Sequence, residues 1–414
     1  MYLRIVNEFN RYFGKEPEIV VSAPARLDLL NTHQDYKGLP VISVAVNIRL
    51  YIALSKSQSD VVNVVSHNMR VLGCEYRDSF KVSNPNLINA DWFGNYVRAT
   101  VKYLRSKDFN IDGFNALIYS EIPMGAGLGS SGALLVALVK ALSELYNLKL
   151  SKLDIAEHAF RIEHDIMKIP CGRLDQYSSA FGGHILINTK PPYNVERLNI
   201  VNAMYIVLDS GLRHKTIKVH TLRRRELEEA LNMLLNMRLP KELRGKLNHD
   251  IYNVKWDLLN EDELVSYVKY LPKALRDRLI FTVRMNKSTK IFVKFLREGF
   301  SSIFHELHEV LGKSLLLSID GDSLTLRLLG EIMSYQHRLL RDLYEVSTEL
   351  LDKMVYESLK AGALGAKLSG AGLGGVVIAL VTDLAIANQI MSRSLRLGAL
   401  RGWVVREDVG VMVH

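Results

Sequence analysis

The chain has 414 residues, 48% of them hydrophobic and 23% charged, enough apolar side chain to bury a large core in about two domains. Its net charge of +9 comes from basic residues interleaved with acidic ones, as in "LRRRELEEAL", which reads as a solvated surface and not as a nucleic-acid-binding stripe. Two cysteines, Cys74 and Cys171, exclude a disulfide framework or a zinc cluster and fit a reducing compartment, so a cytoplasmic location is expected.

The start, "MYLRIVNEFNRYFGKEP", lacks the apolar core of a secretion signal. "EIVVSAPARLDLL" and "VISVAVNIRLYIAL" alternate as strands, and Asn47 and Arg49 make the second too polar to span a membrane. "WFGNYVRATVKYLRS" has helical spacing. "EIPMGAGLGSSGALLV", residues 121–136, then places four glycines and two serines directly before the helical run "ALLVALVKALSELYN". A glycine-rich turn that opens a helix can aim several backbone N–H groups at an anion, and the surplus of positive charge suits an anionic ligand such as a nucleotide. "SKLDIAEHAFRIEHDIM" begins with Ser151 and Asp154 in capping-box spacing and buries Ile155, Ala159, Ile162 and Ile166. Glu163 falls on that buried side, where a carboxylate needs a partner. "HILINTK" and "AMYIVLDSG" read as strands. The pattern is mostly helical from about Thr221 to Leu359, and "GALGAKLSGAGLGGVVIALV" is a second glycine-rich segment running into a strand. This order predicts an α+β chain divided near residue 200.

Three segments together resemble the signature motifs of the GHMP kinases: "APARLDLLNTHQDYKG" (23–38), "PMGAGLGSSGALL" (123–135) and "GAKLSGAGLGG" (365–375). Within that superfamily the first is similar to the galactokinase signature, an Arg followed by His-x-Asp-Tyr. "WFGNYVRA", "CGRLDQYSSAFG", "LDSGLRH", the triple Arg at 223–225 and "LYEVSTELLD" resemble further galactokinase segments in the same order. The resemblance implies a kinase that phosphorylates the anomeric hydroxyl of a monosaccharide with ATP and Mg²⁺, giving a sugar 1-phosphate. It implies an N-terminal α/β domain (residues 1–200), a ferredoxin-like C-terminal domain (201–414) and an active site between them. The partner expected is a small-molecule sugar, with no nucleic acid and no membrane, in a monomer or homodimer.

By the same resemblance, Asp175 is the catalytic base and Arg26 its partner, which also balances phosphoryl charge in a transfer that mostly needs positioning. Gly125, Gly127, Leu128, Gly129, Ser130, Ser131 and Gly132 would hold the nucleotide, with Ser369, Gly370 and Gly372 closing over it. The loop is not a Walker A motif, since no Gly-Lys-Ser/Thr follows. Ser130 or Ser131 with Glu163 would bind Mg²⁺, a hard cation that takes oxygen ligands. Thr32, His33, Asp35, Tyr36, Gly172 and His220 would contact the sugar.

The chain departs from the galactokinase pattern at Thr32, where the family has a Glu that binds the hydroxyl at carbon 6. It has Asp28 for the usual Asn and His220 near an expected Tyr. Loss of a carboxylate beside carbon 6 admits a uronic acid (galacturonate or glucuronate) or L-arabinose as alternatives to galactose. "SSGALL" lacks the Ser-Ala-Ser run of catalytic galactokinases, so a non-catalytic sugar and ATP sensor is the alternative of another class.

Overall fold

The computed structural model describes residues 1–213, 216–312 and 322–414. The first alternating segments form β1 (Ile19–Leu30) and β2 (Val41–Lys56), antiparallel neighbours paired from Ile19–Leu54 to Leu30–Ile42. Both are buried at nearly every residue, as strands covered on both faces must be. β3 (Val61–Ser66), β4 (Arg77–Lys81) and β5 (Phe114–Ser120) extend this sheet, and β6 (His184–Asn188) with β7 (Asn194–Arg197) branches from the first part of β2. The helices Ser130–Leu145 and Leu174–Phe181 pack on β1 and β2, with core residues such as Leu27, Val44, Leu135 and Tyr177 fully buried between them.

A second sheet holds β8 (Met204–Asp209), β9 (Gly365–Ser369), β10 (Val376–Val381) and β11 (Arg401–Arg406) in the order β11-β8-β10-β9, all antiparallel. With helices between β8 and β9 and between β10 and β11, this is the ferredoxin-like arrangement. The first connection is long and helical, and its 26-residue helix Lys273–Glu298 shares a separate core with Leu227, Leu231, Ile251 and Trp256.

Three features differ from the sequence reading. The second glycine segment runs into β10 as expected, but it also contains a strand of its own, β9, from which residues 370–375 turn the chain into β10. β12 (Met412–Val413) returns to the first sheet beside Val21 and Ser22, so the chain end crosses the division expected near residue 200. Arg49 anchors this tail by donating to Asp408 Oδ2 at 2.6 Å and to the Gly410 carbonyl at 2.9 Å. An unforeseen helix, Tyr2–Phe13, presses Ile5 and Phe9 onto Val20, Ala53 and Leu117.

Candidate active site

The glycine-rich turn lies where the two sheets meet. Gly129 takes a left-handed conformation (φ 74°) immediately before the helix that starts at Ser130, so the helix opens onto the turn. A Cβ at Gly129 would stand 3.1 Å from Arg26 Cγ and 3.4 Å from Asp175 Oδ2. At Gly132 it would stand 2.6 Å from Asp175 Cβ. Glycine at these two positions lets β1 and the helix Leu174–Phe181 close on the turn. Gly127 packs on Ser369 and Gly370, and the Leu128 carbonyl accepts from the Arg26 N–H at 3.1 Å. The two glycine segments are therefore in direct contact.

Arg26 and Asp175 form a partly buried pair, with Nε donating to Oδ1 at 2.8 Å and a terminal nitrogen 2.7 Å from the same oxygen. Arg26 also donates to the Gly127 carbonyl, which ties the pair to the turn. Glu163 sits in a π-helical turn, Ile162–Ile166, that continues the capped helix Lys152–Arg161. Its carboxylate accepts from Gln176 Nε2 at 2.5 Å and from the Ser131 hydroxyl. Burial and the nearby Asp175 push Glu163 up to about 7. Among the described residues no three His, Cys, Asp or Glu side chains are grouped so as to hold a metal ion by themselves. One carboxylate beside serine hydroxyls nevertheless suits Mg²⁺, which keeps water and phosphate oxygens as its remaining ligands.

Two cavities flank this centre. One, about 260 Å³, has apolar walls that include Met69, Phe93 and Leu134, with Gly125, Ser130 and Ser131 also lining it. The other, about 390 Å³, is lined by Asp35, Tyr36, Gly172 and His220 on one side and by Tyr193 and Tyr252 on the other. Gly172 lies so close to Asp35 that a Cβ would stand 1.7 Å from Oδ2. Burial, with Asp28 and Asp175 nearby, pushes Asp35 up to about 6. Burial pulls His220 down to about 4, and its Nδ1 has no hydrogen-bond partner among the described residues.

Thr32 and His33 do not line this cavity. The short Thr32 side chain is buried, and its hydroxyl accepts from Lys367 Nζ at 2.5 Å. His33 Nε2 donates to the Ala371 carbonyl at 3.0 Å, and its ring packs behind His220 and Tyr344. Both side chains are thus engaged within the protein, one shell behind Asp35, Tyr36 and His220. Ser369 likewise turns to β1, its Oγ accepting from the Asp28 N–H at 3.0 Å, and Gly372 packs on Val346.

Three residues that received no role from the sequence join the site: Gln176, Lys367 and Arg213. Arg213 ends "LDSGLR" just before the undescribed His214 and forms a bidentate pair with buried Asp209, both contacts 2.7 Å. Its Cδ is 3.4 Å from where a Gly125 Cβ would be, so it supplies a cation beside a turn that has no lysine. The signal was the Arg within that motif, but nothing in the sequence placed it against the turn.

Residues 95–183 match the family described as GHMP kinases N terminal domain, and residues 322–394 match GHMP kinases C terminal. Residues 7–56 match the galactokinase galactose-binding signature. The chain belongs to the GHMP kinases. Within them it is galactokinase-like, as its relatives show. It is 28% identical to a galactokinase of Chloroflexus aurantiacus over 94% of this chain and 92% of that one. It is 27% identical to a galactokinase of Thermococcus kodakarensis over 87% and 89%. The Lactococcus lactis galactokinase complexed with galactose shares the fold, with a TM-score of 0.81, 24% identity and 99% of each chain covered. The Methanococcus jannaschii mevalonate kinase superposes with a TM-score of 0.62 at 19% identity, over 94% of this chain and 98% of that one.

Proposed function

We propose that this chain is an ATP-dependent sugar kinase that phosphorylates the anomeric hydroxyl of galactose. The observation that carries the reading is the Arg26–Asp175 pair, held between the glycine turn and the cavity that contains Asp35 and His220. In this reading the apolar cavity takes the adenine, the turn and Arg213 meet the phosphates, and the other cavity takes the sugar. Asp175 accepts the proton of the anomeric hydroxyl as that oxygen bonds to the γ-phosphorus of ATP. The bond from phosphorus to the β-phosphate oxygen breaks and ADP leaves. Arg26 orients Asp175 and balances charge on the phosphoryl oxygens. Glu163 and Ser131, or Ser130, would hold Mg²⁺, which when bound neutralises the phosphate oxygens. Neutral His220 and the Asp35 carboxyl would fix sugar hydroxyls, with Tyr36 and the Gly172 backbone beside them. Residues 1–200 and 201–414, apart from the returning tail, would be the two lobes, working in the cytoplasm.

Galactose is preferred to the alternatives on two grounds. The similar curated proteins are galactokinases. The case for a uronic acid or L-arabinose rested on Thr32 facing carbon 6, whereas its hydroxyl is taken by Lys367. An intact Arg26–Asp175 pair likewise speaks for turnover over a silent sensor. The test is ADP release over a panel of hexoses, hexosamines, uronic acids and pentoses, with the phosphate position read by NMR. Galactose 1-phosphate as the fastest product is the expected result; turnover of another sugar at a clearly higher rate would replace galactose, and no turnover would revive the sensor.

A further inference from the structure

Among the described residues no strand pairs with the outer edge of β1 beyond Ser22, since β12 reaches only Val21 and Ser22. Side chains and a loop from elsewhere serve that edge instead. The Arg26 N–H goes to Leu128, the Asp28 N–H to Ser369 Oγ, and the Asp28 carbonyl accepts from Lys367 Nζ at 2.8 Å. The same ammonium donates to Thr32 at the end of the strand. Lys367 is fully buried, as Asp28 nearly is, and Asp28 Oδ1 has no hydrogen-bond partner among the described residues. An ammonium in such a place is costly unless an opposite charge answers it.

Arg26 and Asp28 are two residues apart on one strand, so their side chains share a face. Burial pushes the Asp28 carboxyl up, and Lys367, Arg26 and a hydrogen bond from Thr32 oppose that shift. The Thr32 hydroxyl thus links the Lys367 ammonium to the Asp28 side chain, while Asp175 also claims Arg26. We propose that Lys367 is a positioning residue for phosphoryl transfer: it neutralises Asp28 and pins β1 to β9, leaving Arg26 free to hold Asp175. The inference rests on the kinase reading above and goes beyond it by giving a role to a residue that would touch neither substrate.

Such a role makes activity depend on the charge of Lys367. Burial pulls the lysine down to about 8, with Asp28 holding it up and Arg26 lowering it further. The other titratable neighbours are His33 after β1 and His337 on the helix Asp322–Asp342, whose Nδ1 accepts from the Leu368 N–H. Above pH 8 the ammonium charge is lost, and Asp28 draws on Arg26.

Wild-type ADP release on galactose comes first, because its absence would overturn the proposed function and not this inference. Lys367→Met is expected to lower kcat roughly tenfold or more, with KM for ATP little changed. Adding Asp28→Asn should recover most of that loss, since the charge needing neutralisation is gone; coupling of this size is usual for contacting residues. Lys367→Arg should keep kcat at pH 7 and abolish the alkaline fall near pH 8. Equal losses in the single and double variants overturn the proposal. So does an alkaline limb unmoved in Lys367→Arg, which decides the matter alone if Lys367→Met does not fold. If the wild type is inactive on galactose, ¹³Cε titration of Lys367 without substrate reads the same coupling. A pKa near 8 that falls further in Asp28→Asn supports it; an ordinary value near 10.5 overturns it.

Discussion

Asp175 and Arg26 can be approached so closely by the glycine turn only because positions 129 and 132 carry no Cβ. The proposed function gives proton transfer to one carboxylate, so Asp175→Asn should lower kcat by roughly 100- to 10,000-fold, the usual range for losing an oriented acid–base group. ATP affinity measured by calorimetry should stay near the wild-type value, because the substituted atom is not a nucleotide contact in this reading. Near-normal turnover in the folded variant would remove Asp175 as the base. Thr32 gives a sharper residue-level test. Its hydroxyl serves Lys367, so Thr32→Val removes a hydrogen bond to a charged group, worth roughly 1.5–3 kcal/mol, and should lower stability. The ratio of kcat/KM for galactose over its 6-deoxy analogue should not change. A shift of roughly tenfold, about 1.4 kcal/mol, would put Thr32 at carbon 6 after all.

At the scale of elements, the strands, the glycine turn and the helix after it were legible because each leaves a local signal. Alternation marks β1 and β2, a capping box marks Lys152–Arg161, and glycines stand before an apolar run at Ser130. What the sequence could not show was which side chain faces which across the joint. Thr32, His33 and Ser369 lie in the motifs that family resemblance points to, yet their polar atoms bond across the joint, to Lys367, Ala371 and Asp28. Lys367 and Arg213 stay hidden for the same reason: their partners are distant in sequence or belong to another motif. The π turn was also invisible, although it carries Glu163, whose inward position the stripe of apolar residues did reveal. With Gln176 and Ser131 holding that carboxylate, Glu163→Gln should raise the Mg²⁺ concentration for half-maximal activity roughly tenfold or more while metal-free ATP binding changes little. An unmoved Mg²⁺ midpoint would count against Glu163 as a ligand. Arg213→Gln tests the opposite end of the turn. It should raise KM for ATP and leave KM for galactose alone; a selective rise in the galactose value would place Arg213 elsewhere.

Across the whole molecule, the joint between the sheets buries titratable groups of both kinds, and their effects on stability oppose one another. His220 is pulled from 6.5 to about 4, and His33 is also lowered by burial, with His220 and Lys37 adding to the effect. Between pH 4 and 6.5 the unfolded chain holds a proton that folded His220 does not, so this group makes stability rise with pH. Asp35 runs the other way. Raised from 3.8 to about 6, it holds a proton in the folded chain that the unfolded chain has released, so it makes stability fall with pH through that window. Glu163, raised from 4.5 to about 7, acts with Asp35. The two slopes overlap between pH 4.5 and 6, where they cancel in part and the ligand-free protein should show a shallow dependence. Urea unfolding in that range, without Mg²⁺, ATP or sugar, separates the terms. Asp35→Asn removes a falling slope, so the variant should lose stability more steeply than the wild type as pH drops from 6 to 4.5. His220→Asn removes a rising slope, so that variant should become relatively more stable on acidification. Parallel pH profiles for all three proteins would mean that neither group is perturbed in the folded chain, and that the joint is wetter than its packing indicates.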